Sequence, residues 1–245
     1  MRAKDAADHV YASLRKEILG LDIVPGQLMR EQDICERFEA SRTPVHVALE
    51  RLCDTGLLEF VPYKGVRATL LKFSHIYQII LMRTVLETKV LIDFSRKADP
   101  FALERCHHSL RNQGILLASD QFEPAAFYAL DSQLHQTWFD EVGFPLFWDA
   151  IQDSEVYYTR FRMLDIVEMH NFKEIVQEHA ALLSLLESQQ YDYIERVLTY
   201  HLFGGIRRMQ HVLQSDLGSY FSDAQNIGSY LDRVLSFERP DCLSE

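Results

Sequence analysis

Four side chains in the second half of the sequence are of the types that hold a metal ion. Asp131 and His135 stand four residues apart, a spacing that places both on one face of a helix. His179 follows Glu178 on a later helical stretch, and His201 lies on the last long one. A carboxylate and three imidazoles brought together from three helices of a bundle can converge on a divalent cation. Spacing alone does not decide for a metal. The chain has ten histidines and Asp-x-x-x-His is a loose pattern. On these grounds alone, core or surface histidines are the plainer reading. His107, His108, His170 and His211 are assigned to that plainer group.

A second constellation lies near the N-terminus. Ser41 is a good helix N-cap, and Pro44 is tolerated because it falls in the first turn. Val45, Ala48, Leu49 and Leu52 repeat as the buried stripe of the helix that follows, so Arg42, Thr43, His46 and Glu50 face the other way. As the second helix of a helix-turn-helix, this segment points its first turn at base edges in a major groove. Arg42 can donate two hydrogen bonds to guanine, and Ser41 and Thr43 can bond phosphate or base. Arg30 precedes the first helix of the motif and is placed to meet the DNA backbone. Lys64 and Arg67 flank Gly65 at a hairpin tip that can reach a neighbouring phosphate or the minor groove. The competing reading is that these are solvated charges on a small helical domain.

The elements that must position these groups follow from periodicity. Ala7, Val10, Leu14 and Ile18 recur at helical spacing before Gly20, and a short helix runs from about Glu31 to Phe38. Alternation at Leu58, Phe60 and Pro62, a turn at Tyr63-Lys64-Gly65, and alternation at Val66, Ala68 and Leu70 predict the one convincing β element, a hairpin. From Ser74 onward the pattern is helical. One long helix ends near Asp99-Pro100, and further helices cover about 102–118, 124–141, 145–164, 172–188 and 191–213. Asn171 and Glu174 suggest a capping-box variant at the start of the stretch 172–188. Gly204-Gly205 predicts a kink or a loss of stability. The fold class is therefore mainly α: a winged helix-turn-helix at 1–72, an all-helical bundle at 73–215, and an extension at 216–245. The extension is expected to hold a short helix near 224–235 and then a frayed end.

Composition sets bounds on the partners. The chain has 245 residues, 47% of them hydrophobic, enough for one or two domains. Its net charge of −11 is uneven: residues 1–72 carry 11 basic and 11 acidic groups, and the remainder carries 14 and 25. DNA affinity must then come from a local positive face and from dimerisation rather than from a global field. No run has the apolar length of a membrane span, and the first residues lack a secretory pattern. Four scattered cysteines fit reduced thiols in a cytoplasm.

Pro25-Gly26-Gln27-Leu28, Glu31, Ser41-Arg42-Thr43-Pro44-Val45, Ala48-Leu49, Arg51-Leu52 and Gly56-Leu57 resemble the GntR family of bacterial regulators. The resemblance implies operator binding as a homodimer. It departs at His46-Val47, where the family usually has Arg-Glu, which bears on the operator sequence. Arg83-Thr84-Val85-Leu86-Glu87, Asp131-Ser132-Gln133-Leu134-His135, Glu178-His179 and His201-Leu202 resemble the FCD helical effector domain of the FadR-type branch. That resemblance implies a divalent metal, commonly zinc or nickel, on Asp131, His135, His179 and His201, and a small carboxylate effector held with its help. An arginine in the same cavity can fork onto a second carboxylate. Arg83 is the first candidate, and Arg160 and Tyr157 are weaker ones for which packing is the plainer role. The reading that follows is a ligand-responsive repressor or activator. Two alternatives stand beside it: a metal-dependent enzyme using the Asp/His site, and a regulator whose metal is purely structural.

Overall fold

A computed structural model describes residues 3–97, 99–120, 122–153, 155–169, 172–213 and 217–243. The first unit contains α1 (Ala3–Leu19), β1 (Leu28–Met29), α2 (Glu31–Arg37), α3 (Arg42–Asp54), β2 (Leu58–Val61) and β3 (Gly65–Ala68). Its core is the set of stripes that helical spacing picks out. Val10, Leu14 and Ile18 of α1 pack with Val45, Ala48, Leu49 and Leu52 of α3, and none of these is more than 1% exposed. Ser41 has the extended backbone of an N-cap, but its side chain makes no capping bond. The wing has three strands in the order β1-β3-β2, all antiparallel. The two-residue β1 is too short to show alternation, so the hairpin alone is legible in the sequence. Gly65 makes the third strand possible. Its φ is +117°, and a Cβ there would overlap the Met29 carbonyl oxygen, so only glycine lets β1 come this close.

The helical part runs through α4 (Phe73–Lys97), α5 (Pro100–Leu117), α6 (Pro124–Val142), α7 (Pro145–Gln152), α8 (Glu155–Met169), α9 (Phe172–Glu187), α10 (Tyr191–Leu202), α11 (Gly204–Arg208), α12 (Gln210–Leu213) and α13 (Ile227–Leu235). Asp99 caps α5 by accepting from the Ala102 amide at 2.7 Å, with Pro100 in the first turn, the N-terminal arrangement that helix ends favour. Two expected helices are broken. The stretch 145–164 divides into α7 and α8: Trp148 of α7 packs on Phe139, while α8 is buried without interruption from Tyr158 to Ile166. The stretch 191–213 divides into α10, α11 and α12, with a second joint at Met209 and the first at Phe203. The glycine pair follows that joint for a packing reason. A Cβ on Gly205 would lie 3.1 Å from Asp165 Oδ2, so glycine admits the buried Asp165–Arg208 pair, whose shortest contact is 2.5 Å.

The short helix expected in the last segment is present as α13, and the end beyond it, expected to fray, is anchored in the core by Leu243. Phe221, Ile227, Leu231, Val234 and Leu243 are buried in the same cluster as Phe73, Ile76 and Ile80 of α4. Backbone bonds Leu71 N–H to Tyr220 O and Ser222 N–H to Leu71 O, both 2.8 Å, fasten this segment to the chain entering α4. Asp223 then accepts from the amides of Phe73 at 2.7 Å and Ser74 at 3.0 Å. It supplies the N-terminal cap that α4 lacks locally. Asn171 of the expected capping box and His170 lie outside the described residues.

Candidate metal centre and DNA-reading helix

Each possible metal ligand is positioned by a helix whose other face is apolar. On α6, Asp131 and His135 lie one turn apart beside the buried Leu134 and Trp138; His179 comes from α9 and His201 from α10. All four are at most 3% exposed, and one ligating atom from each falls within 4.8 Å of the others. His135 Nε2 and His201 Nε2 are 3.3 Å apart, and His179 Nε2 is 3.5 Å from Asp131 Oδ1.

The outer nitrogens explain this orientation. His135 Nδ1 lies 2.6 Å from Glu87 Oε2, His179 Nδ1 lies 2.9 Å from Gln113 Oε1, and His201 Nδ1 lies 2.8 Å from Glu178 Oε2. Each partner oxygen can accept a hydrogen bond from Nδ1–H, and in that tautomer the Nε2 lone pair is directed at the common centre. Metal-binding histidines are typically held in this way. Burial, together with the neighbouring imidazoles, drives His179 and His201 well below the ordinary imidazole range, so both are neutral, the form a cation needs. Burial pushes Asp131 upward, but the Arg162 guanidinium is the largest influence against it, and the carboxyl is held below its usual range. Burial also pushes Glu87 up, yet Arg83 and His135 bring it down to about 2. Glu178, buried more deeply than Arg207 and Arg208 compensate, is pushed up to about 7.

The fit to a cation rests on orphaned atoms. Among the described residues, Asp131 Oδ1 and His179 Nε2 are buried without a hydrogen-bond partner, although buried polar groups are nearly always satisfied. Arg162 Nη2 sits 2.9 Å from Asp131 Oδ1 but without hydrogen-bond alignment, and Arg162 Nε is also unpartnered. A divalent ion at the shared centre would satisfy the orphaned oxygen and nitrogen together.

The three effector-side candidates fall in different surroundings. Arg83 is buried against the centre, but its Nε bonds Glu87 at 2.5 Å, its Nη1 bonds the Tyr158 hydroxyl, and its Nη2 lies 3.2 Å from His135 Nδ1. It braces the carboxylate that braces His135. Arg160 points away from the centre, donating to the Thr69 carbonyl at 2.7 Å and the Val156 carbonyl at 2.5 Å. Tyr157 packs edge-on against His75. Neither Arg160 nor Tyr157 joins the Asp/His cluster, because both sit on other faces of α8. The arginine that does join it is Arg162, which the sequence reading missed along with Gln113. A helix buried all round offers no amphipathic phase to separate Arg160 from Arg162. Glu87 did carry a signal, since it stands four residues from Arg83.

In the first unit, Ser41, Arg42, Thr43 and His46 are exposed along one side of α3, opposite its buried stripe. His46 lies 3.6 Å from Glu31 and 3.5 Å from Glu50, and its ring rests against Phe60 of the wing. Arg30 is exposed at the start of α2 and pairs with Asp33 at 3.0 Å. Lys64 is exposed at the wing tip, and Arg67 pairs across the strands with Glu59 at 2.7 Å. Gly65 serves the close approach of β1 described above.

A helix-turn-helix with a three-stranded wing, joined to a helical domain enclosing an Asp/His cluster, defines a DNA-binding regulator with a sensory domain. Family models agree. The model for "Bacterial regulatory proteins, gntR family" matches residues 6–67 and that for the FCD domain matches residues 78–204. The chain belongs to the GntR family of transcriptional regulators, in the group with an FCD effector domain. It is similar to the HTH-type transcriptional repressor RspR of Escherichia coli, 26% identical over 196 residues, covering 79% of this chain and 84% of that protein. It is also similar to an HTH-type regulator in an unstable DNA locus of Streptomyces ambofaciens, 22% identical over 204 residues, covering 82% and 85%. Among solved structures, Escherichia coli McbR/YncC superposes with a TM-score of 0.65 at 16% identity, covering 84% of this chain and 97% of that one. A GntR family member from Pseudomonas syringae gives 0.51 at 21% identity, covering 87% and 88%. The family is one of regulators, so the enzyme alternative is set aside. Among the described residues, no helix is long and apolar enough to cross a membrane.

Proposed function

We propose that this regulator is a cytoplasmic homodimer, acting as a repressor, in which a divalent metal and a small carboxylate effector control operator binding. The metal, zinc or nickel, is held by Asp131, His135, His179 and His201, and when bound it supplies a Lewis-acidic position for an effector oxygen. The observation that carries this reading is the inward aim of three imidazoles, each fixed by its own outer acceptor, on a point shared with an orphaned aspartate oxygen. Arg162 offers its unpartnered N–H groups to the effector carboxylate, a charge-assisted contact. Arg83 stiffens the wall behind it through Glu87 and Tyr158.

One helix links this site to the DNA-reading unit. Two residues before Arg162 on α8, Arg160 grips Thr69 through both its carbonyl and its hydroxyl, and Thr69 in turn bonds the Gly56 carbonyl just after α3. A displacement of α8 on effector binding pulls on the exit of the recognition helix. In a dimer, a small change in the separation of two recognition helices breaks the match to half-site spacing. Arg42 and Thr43 read bases, Ser41, Arg30 and Lys64 meet phosphate, and His46 takes the position of the family's usual arginine.

The enclosure of all four ligands also supports a second reading, in which the metal is structural only. A fluorescence-anisotropy titration with DNA from upstream of the chain's own gene separates the two, run with metal-loaded protein and a panel of small carboxylates. Salt-sensitive binding released by at least one acid is the expected result. Binding that depends on metal but answers to no acid favours the structural reading. Absence of sequence-preferring binding under every condition overturns both.

A further inference from the structure

A cleft of about 1060 Å³ opens between α1 of the DNA-reading unit and the edge formed by α6 and α8. That is the size of a small-molecule site, and nothing above uses it. Tyr128 and Thr159 form part of its floor, joined by a 3.1 Å hydrogen bond between their hydroxyls. Asp131 lies three residues beyond Tyr128 on α6, and Arg162 lies three residues beyond Thr159 on α8. At that spacing each pair shares a helix face, so the cleft and the metal centre have two walls in common, parted at the Tyr128–Thr159 contact. Arg15, Lys16, Asp22 and Glu123 all line the cleft. Two cations are matched by two anions, so it has no net preference for charge. The rest of its lining is largely carbon, from Leu19, Leu21, Met163 and Val167 among others. An occupant whose charged end is drawn inward to Arg162 therefore leaves an uncharged, apolar part in the cleft.

We propose that this cleft is the outer chamber of the effector site, and that the effector is a carboxylic acid with an apolar tail. The head group passes the Tyr128–Thr159 contact to reach Arg162, and the tail lies between α1 and the α6/α8 edge. The inference rests on the carboxylate reading above and adds the tail. It also gives the ligand a direct hold on the DNA-reading unit, because one wall of the tail chamber is α1.

The test is calorimetric titration of the zinc-loaded full-length chain with straight-chain monocarboxylates from acetate to decanoate. Each methylene buried in the cleft is worth about 0.8 kcal/mol, so affinity is expected to rise about fourfold per carbon until the cleft is full. Ala12→Trp and Ala125→Trp fill the cleft from its two sides at exposed positions and leave every metal ligand in place. Both variants are expected to bind acetate as the wild type does and to lose the gain with chain length. If acids bind to the wild type with an affinity independent of length, or if the tryptophan variants keep the length dependence, the tail chamber is wrong while the carboxylate reading stands. If no acid of any length binds, the carboxylate reading fails and this inference fails with it.

Discussion

Both halves of the molecule carry exposed ion pairs, but among the described residues the helical domain also buries several. In the DNA-reading unit the pairs Arg30–Asp33, Arg51–Asp8 and Arg67–Glu59 have side chains between 43% and 76% exposed. In the helical domain Arg83–Glu87, Arg162–Asp131 and Arg208–Asp165 are at most 5% exposed. Exposed pairs add little to stability and are screened by salt. Their cost of rearrangement is equally small, which suits a surface that must exchange its partners for phosphates. Buried pairs carry a desolvation penalty of several kcal/mol per ion, and a core without them is often as stable. A domain that keeps so many has a use for them. Here Arg83–Glu87 braces His135, and Arg162 sets a cation against Asp131.

That contrast can be broken or sharpened by substitution. The largest effect is expected from Arg162→Ala, which strands Asp131 without its cation. Loss of one partner of a buried pair costs about 3–5 kcal/mol, read as a fall in the urea midpoint of metal-free protein. Metal-loaded protein should lose clearly less, because the ion also neutralises Asp131, and equal losses with and without metal would separate Arg162 from the centre. Next comes Arg42→Ala, with an expected loss of about 1–3 kcal/mol in discrimination at one operator position. The melting temperature should not change, since Arg42 is exposed. A drop in stability that matches the loss of binding would mean the residue serves the fold.

Asp223→Ala is smaller, at about 1 kcal/mol for a lost helix cap, and it carries a pH signature. Burial pushes the Asp223 carboxyl up, but hydrogen bonds from Ser74 and Phe73 outweigh it and hold its pKa below the ordinary value. A depressed folded pKa gives stability that is present above the unfolded value and lost as pH falls through the folded one. The wild-type advantage over Asp223→Ala should therefore be complete at neutral pH and vanish in acid below the ordinary aspartate range. An advantage unchanged in acid would remove the carboxylate from the account. The smallest effect is expected from Glu59→Gln, a few tenths of a kcal/mol at most for an exposed cross-strand pair. A larger loss would show that the surface charges of the wing are structural after all.

How much of this was legible follows the same division. Val45, Ala48, Leu49 and Leu52 mark the recognition helix because its other face meets water, and a helix with two different faces announces its phase. The ligands Asp131, His135, His179 and His201 are named by residue type and spacing joined to a family resemblance. Their convergence is a tertiary fact. Gln113 was invisible, as a single glutamine on α5 says nothing of its 2.9 Å contact with His179. Arg162 was hidden beside Arg160 in a helix without a wet side. The division of 145–164 was missed although Gln152-Asp153 already interrupts the apolar pattern, the joint at Phe203 was signalled by Gly204-Gly205, and the end after α13 was read as frayed because the cluster that takes in Leu243 is built from residues such as Phe73 and Ile76, far earlier in the chain.

The central claim is that the buried Asp/His cluster seats a metal ion. The most direct measurement is the metal content of protein loaded with zinc or nickel and then dialysed against free buffer, compared with His179→Ala treated in the same way. One tightly held ion per wild-type chain, lost in the variant, is the predicted result. A wild-type chain that retains no metal, or a variant that retains as much, would contradict it.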